Sequence, residues 1–307
     1  MTVANQKTHP IRGYFYIAAA TFCWGVSATL GKAVFTGRLL PSAAAIGPMV
    51  LSQTRVTIAF LVLFPALLIT RGWRGLALPR RDLVGAMLIG SAGITASNFF
   101  YYVAIQKTTV AAAITLQYLS PVLVLVYMVA RGRQRATLLR VGAVVLAVVG
   151  SALAIGVGES ALRINLSGVA AGLAAAFCFS YYTVGGSDLL QRNDRWIVFM
   201  YSMLGAAIFW VCVNPPWRLV TAHYSGAQWT FILAFAVISI LIGYSFYYAG
   251  LQQLDATRAI VTSCLEPVFA IVIAAAALGE GITALQGVGV AVVLAATILV
   301  QVPEPAP

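Results

Sequence analysis

The amino-acid sequence predicts an all-α polytopic membrane protein: ten transmembrane helices in two inverted five-helix repeats around a central cavity. Three observations lead there. The 307-residue chain is 61% hydrophobic and 9% charged, against roughly 45–50% and about 25% in ordinary soluble domains. Its apolar residues fall into ten stretches close to the roughly 20 residues that span a bilayer. A patterned segment of the first half returns in the second half at a constant offset.

The ten stretches lie near residues 14–34, 48–69, 83–104, 110–130, 137–156, 166–186, 196–213, 229–250, 258–278 and 283–301. Span 1 follows Lys7 and Arg12 and contains Ala18, Ala19 and Ala20, which resembles a secretory signal. Its apolar core is too long for one and nine spans follow, so it is expected to stay uncleaved. Span 2 carries Arg55. Span 3 carries Ser91, Thr95, Asn98 and Tyr102 on one helical stripe, with Tyr101 beside them. Span 4 offers Thr115, Tyr118 and Ser120, then Pro121. Span 6 carries Tyr181 and Tyr182. Span 8 carries Tyr244, Tyr247 and Tyr248, and span 9 carries Thr262, Ser263, Glu266 and Pro267. The connectors are short and leave no room for a soluble domain.

The net charge of +11 could suggest a nucleic-acid partner, but its placement does not. The tail, the connectors after spans 2, 4, 6 and 8 and the C-terminus hold thirteen Lys or Arg. The opposite connectors hold five: Lys32, Arg38, Lys107, Arg163 and Arg218. Such a bias places the basic set, and with it both termini, in the cytoplasm. The lipid bilayer is then the expected partner, with no nucleic acid, and a monomer is expected. The four cysteines, Cys23, Cys178, Cys212 and Cys264, all lie in apolar spans. They have neither metal-ligand spacing nor a disulfide framework. Neither a metal nor a cofactor is expected.

The internal match covers residues 96–127 and 242–273 at an offset of 146. Phe100, Tyr101, Tyr102, Gln106, Leu119 and Pro121 recur as Phe246, Tyr247, Tyr248, Gln252, Leu265 and Pro267. A weaker match at an offset of 155 pairs Phe22 and Cys23 with Phe177 and Cys178. Spans 1–5 thus correspond to spans 6–10, with residues 1–157 as one half and 158–307 as the other. Five is odd, so the second half crosses in the opposite sense. Inverted repeats of this kind place a transporter's site near midplane between the halves.

Polar stripes facing lipid are costly, so the stripes are expected to face a cavity. The expected substrate contacts are Trp24, Ser27, Asn98, Tyr101, Tyr102, Tyr118, Tyr181, Tyr182, Tyr244, Tyr248 and Glu266. Belt positions and packing between helices compete for the tyrosines, serines and threonines. Glu266 stands about nine residues into span 9, roughly 14 Å deep. Pro267 beside it, like Pro121 in span 4, withholds a backbone N–H and disturbs the preceding turn. An intramembrane carboxylate marks a functional site unless it only holds the broken helix in shape. Arg55 could attract a substrate carboxylate; an ion pair with Glu280 or snorkelling is the expected role, because it lies near the outer end of its span.

The run CLEPVFA at 264–270, with LGE at 278–280, Thr283 and Gln286, resembles the second-half signature of the drug/metabolite transporter superfamily, EamA-like branch. Trp24–Gly25 with Lys32, and Arg55 in span 2, fit the same family. Within it the chain looks most like the bacterial aromatic amino-acid exporters. One departure is Gly132–Arg133 where LGE stands in the second half. The resemblance implies ten helices around a cavity, an inner-membrane location and export of small metabolites.

No HExxH, GxSxG or Cys/His pair occurs within a span, so no catalytic residue is expected and the chain is read as no enzyme. Thr183–Gly186, TVGG, resembles part of a potassium filter. It ends a full span here rather than lying in a re-entrant loop. A small multidrug pump would place its glutamate in span 1, which has none. A nucleotide-sugar carrier would need basic groups that the stripes almost lack. Without a Walker motif, ATP is not the energy source. The reading is a secondary exporter of amino acids, aromatic ones included; other small metabolites, cationic drugs and nucleotide-sugars are the alternatives.

Overall fold

A computed structural model describes residues 10–35, 39, 46–108, 110–156, 165–221 and 223–302. The basic residues Lys7, Arg38 and Arg163, the side chains of Lys32 and Arg218, and the expected boundary at 157–158 lie outside the described residues. Among the described residues all regular structure is helical. The chain forms α1 (Pro10–Phe35), α2 (Pro48–Gly75) and α3 (Arg80–Lys107), then α4 in two segments, Val110–Gln117 and Ser120–Ala130. It continues with α5 (Leu138–Ala154), α6 (Leu166–Leu190), α7 (Arg195–Val213), α8 (Gly226–Leu251), α9 (Ala256–Leu278) and α10 (Ala284–Leu299).

Local chemistry starts and stops these helices. Asp194 and Asp255 accept from backbone N–H groups in the first turns of α7 and α9. Ser225 with Gln228 and Thr283 with Gln286 form reciprocal capping boxes at α8 and α10. Each satisfies donors that a helix start otherwise leaves unpaired. Thr283 and Gln286, two residues of the family signature, therefore serve here to begin a helix. Gly132 and Gly279 end α4 and α9 with φ of 66° and 67°, a left-handed conformation that glycine adopts without a Cβ penalty.

Seven helices among the described residues are long and apolar enough to cross a membrane: α2, α3, α4, α6, α7, α8 and α9. The protein is a multi-pass membrane protein. Helices α5 and α10 are apolar but shorter, at 17 and 16 residues, or about 26 and 24 Å at 1.5 Å per residue. They pack along each other. Helix α6 runs on to Leu190, so Thr183–Gly186 lie inside the helix rather than at its end.

Two kinds of irregularity recur. Helices α3 and α8 each contain a π-helical section, Ile89–Thr95 and Val237–Ile242. Helices α4 and α9 each break just before their proline, after Gln117 and at Cys264. The packing follows the same exchange. Helix α1 lies against α8 and α9, while α6 lies against α3 and α4; α2 packs on α7 and α8, and α7 on α2 and α3. The largest buried cluster joins α1, α2, α3, α6, α7, α8 and α9 around Trp210, Phe199, Tyr247 and Tyr248.

Candidate functional site

The breaks in α4 and α9 meet. Tyr118, beside the α4 break, donates its hydroxyl to Glu266 Oε2 at 3.2 Å. Above this contact lies a cavity of about 790 Å³. Its lining from α1, α3 and α9 comes only from the C-terminal halves: Trp24 to Gly31, Ile94 to Gln106 and Glu266 to Ala274. It continues past the end of α9 along Glu280, Gly281 and Ile282. The cavity therefore runs from the helix breaks towards one end of the molecule.

Its wall is aromatic on the side of α1, α6 and α8. The Trp24 ring lies 5.1 Å from that of Tyr244 and 5.2 Å from that of Tyr247. Tyr182 stacks on Phe179 at 4.9 Å. Tyr101 and Tyr102 contribute a tilted pair at 5.6 Å from α3. Ring contacts of this kind each add a little beyond area burial. Together they hold a preformed wall.

The π-helical sections explain two of the polar residues. A π section breaks the regular ladder and leaves carbonyl groups in need of donors. Trp24 Nε1 donates to the Ser239 carbonyl at 3.1 Å, within the π section of α8. Asn98 Nδ2 donates to the Ile94 carbonyl at 2.8 Å, within that of α3. Both side chains face the cavity and both spend a donor on backbone. Ser27 likewise donates to the Cys23 carbonyl at 2.8 Å, and Ser52 to the Tyr102 hydroxyl at 3.2 Å.

Of the residues expected at the site, Trp24, Ser27, Asn98, Tyr101, Tyr102, Tyr118, Tyr182, Tyr244 and Glu266 line this one cavity, and Pro267 lies beside Glu266 in its wall. Three do not line it. Tyr181 points outward and is 38% exposed; it is the neighbour of Tyr182 and so faces another side of α6. Tyr248 is fully buried against α7, its hydroxyl donating to Ser202 Oγ at 3.0 Å. Pro121 is buried in α4 away from the lining.

The structure adds residues that the polar stripes did not single out. Gln117 lines the cavity and donates to Ser97 Oγ at 3.1 Å, which in turn donates to the Ala175 carbonyl at 2.9 Å. Arg55 also lines it. Its Nε is buried without a hydrogen-bond partner, and no ion pair among the described residues includes it. The expected Arg55–Glu280 pair is thus not formed, although both residues border the cavity. Nothing in the spacing of span 2 signals this, since Ser52, Gln53, Thr54 and Thr57 surround Arg55 and spread the polar side chains over all faces of the helix.

A second cavity of about 410 Å³ lies at the N-terminal end of α9, bordered by Gln134, Ser187, Asp188, Gln191 and Asp255. Arg133 Nη1 reaches both carboxylate oxygens of Asp188, at 2.7 and 2.9 Å, and that bond with the aspartate's charge pushes the Arg133 pKa further up. Thr257 Oγ1 donates to Gln134 Oε1 at 2.7 Å. Further pairs, Arg192–Asp82 at 2.9 Å and Arg71–Asp194 at 2.8 Å, tie the α6–α7 connector to the ends of α3 and α2 here. The 23 residues of α9 separate this end from Glu280 by about 34 Å. One end of the molecule is laced shut by polar contacts and the other is reached by the cavity. Among the described residues no cluster of His, Cys, Asp and Glu is arranged to hold a metal.

Similar proteins fit this architecture. The Salmonella typhimurium "Uncharacterized inner membrane transporter YicL" is 25% identical over 226 residues, covering 72% of this chain and 74% of that one. The Escherichia coli K12 "Threonine/homoserine exporter RhtA" is 25% identical over 214 residues, 69% of each. The Bacillus subtilis "Uncharacterized transporter YdeK" is 27% identical over 288 residues, 88% of this chain and 94% of that one. A solved crystal structure superposes with a TM-score of 0.76 over 95% of this chain and 98% of its own, at 18% identity, a likeness of fold. Residues 11–156 and 166–302 each match the EamA-like transporter family, and the chain belongs to that family.

Proposed function

We propose that the protein is a secondary transporter that exports amino acids, aromatic ones among them, across the bacterial inner membrane by alternating access. The observation that carries this reading is the cavity. It is large enough for an amino acid, is walled by Trp24, Tyr182 and Tyr244, and has Glu266 at the meeting point of two broken helices. Aromatic faces suit apolar or aromatic side chains and also attract an ammonium group. Family membership and the exporter named among the relatives support the direction of transport.

In this reading ten helices cross in two inverted halves, residues 1–157 and 158–307, with both termini in the cytoplasm. The end laced by Arg133–Asp188 and Gln134–Thr257 is then cytoplasmic and closed, and the cavity opens outward. Export requires the converse state. Rocking of the halves would part these contacts and close the wall around Glu280, as in other inverted-repeat carriers. A nucleotide-sugar would meet a cavity whose described lining includes a single basic residue, Arg55, too little for its phosphates.

The test is counterflow in proteoliposomes with labelled threonine, homoserine, phenylalanine, tryptophan, a uridine-diphospho-sugar and ethidium. Exchange of one or more amino acids, with neither of the last two, is expected. Exchange of ethidium or the nucleotide-sugar alone would overturn the amino-acid reading.

A further inference from the structure

We infer that Arg55 is the anchor for the substrate carboxylate, so that the cavity selects zwitterions by holding a carboxylate at Arg55 and an ammonium near Glu266. This inference rests on the amino-acid reading above and assigns within it the group that determines substrate charge.

Besides Arg55, the cavity offers Asn98 and the tyrosine hydroxyls as donors for the carboxylate. The structure already engages several of these groups. Asn98 donates to the Ile94 carbonyl, Tyr118 to Glu266 and Trp24 to the Ser239 carbonyl. Tyr102 accepts from Ser52. Arg55 differs from all of them. It borders the same cavity, its Nε is buried without a partner, and none of the described ion pairs includes it. A buried guanidinium nitrogen left unpaired is costly, and such a group in a native fold calls for an explanation.

The expected roles for Arg55 fare poorly. Snorkelling would bring the whole guanidinium to water, yet Arg55 is only partly exposed and its Nε is buried without a partner. A structural pair with Glu280 is not formed. A ligand oxygen remains the partner that fits. Guanidinium presents a planar fork of donors that matches a carboxylate in a bidentate way. Arg55 and Glu266 line the same cavity, so the two groups of opposite charge border a shared space. A phosphate would gain from Arg55 but would be repelled by Glu266. A cation would be repelled by Arg55. A zwitterion satisfies both charges at once.

The test compares three probes as competitors of labelled phenylalanine counterflow: phenylalanine, phenylalanine amide, which lacks the carboxylate, and 3-phenylpropionate, which lacks the ammonium. In the wild type, phenylalanine should compete about tenfold or more better than the amide, the scale of a charge-assisted contact. In Arg55→Gln that preference should fall to within about twofold. In Arg55→Lys, which keeps the charge but not the fork, part of it should return. Should Arg55→Gln fail to give a monodisperse protein, the wild-type and Arg55→Lys comparisons still decide. A wild type that accepts the amide as well as the acid overturns the inference, as does an Arg55→Gln protein that keeps the preference. In both cases phenylalanine exchange persists and the amino-acid reading stands. A wild type that exchanges neither phenylalanine nor threonine sinks that reading and this inference with it.

Discussion

At the scale of single residues, the side chains of the cavity have two duties that substitutions can separate. Trp24 offers its ring to the wall and its N–H to the π section of α8. Trp24→Phe keeps a ring and loses the bond. It should lower stability by about 1 kcal/mol, the net worth of one hydrogen bond, with a small effect on aromatic substrates; Trp24→Ala should cost several-fold in transport as well. Thermal unfolding in detergent beside counterflow rates separates the two, and equal transport loss in both variants would place the indole N–H in substrate binding. Glu266 accepts from Tyr118 where α4 and α9 break. Glu266→Gln keeps size and hydrogen bonding and cannot ionise. It should fold normally and slow exchange of zwitterions several-fold, and whatever part of the pH dependence of exchange comes from this carboxylate should disappear. Rate profiles that superimpose on the wild type would make Glu266 a structural bridge.

At the scale of elements, close helix contacts depend on small residues at defined points. A Cβ on Gly205 of α7 would stand 2.1 Å from the Met87 carbonyl oxygen of α3, and one on Gly90 would stand 1.7 Å from that of Ser202. Backbone cannot yield as a flexible side chain can, so the helices would have to part. Small residues let membrane helices approach in this way. Gly205→Ala should therefore destabilise by about 1–3 kcal/mol, the usual cost of overpacking, with a clear fall in melting temperature in detergent. Gly142→Ala on α5, whose Cβ would meet Leu299 at an ordinary 3.5 Å, should leave it nearly unchanged. An equal response of the two variants would mean that the α3–α7 contact is looser than described.

At the scale of the whole molecule, the expectations concern sidedness and the closed end. With the native cysteines replaced, single cysteines at residues 75 and 135 should be shielded from an impermeant thiol reagent in intact cells, while one at residue 282 should react. Labelling at 135 would overturn the layout. Arg133 and Asp188 are each more than a third exposed, and solvent reduces such a pair to roughly 0.2–1 kcal/mol. Asp188→Asn should thus shift the balance of inward- and outward-facing states by at most about fivefold. Accessibility of a cysteine at residue 98 to reagent from the cytoplasmic side measures that shift. No change would mean that other contacts, such as Gln134–Thr257, hold this end closed.

The sequence by itself determined what depends on composition and local chemistry. Apolar runs and breaking prolines act within a few residues, so membrane class, helix order and the breaks beside Pro121 and Pro267 could be read along the chain. The stripe through Asn98 and Tyr102 was legible for the same reason, since a helix repeats its faces at fixed spacing. Only the tertiary structure decided which partner each polar group takes. Tyr181 and Tyr182 are adjacent and alike, yet packing against Phe179 and Tyr244 draws one into the wall and leaves the other outside. Tyr248 sits on a helix with Tyr244 but finds Ser202. Arg55, expected to pair with Glu280, stands at the cavity without that partner. A hydrogen bond or ion pair between distant spans depends on rotation and crossing of whole helices, and those follow from packing among all of them rather than from any one segment.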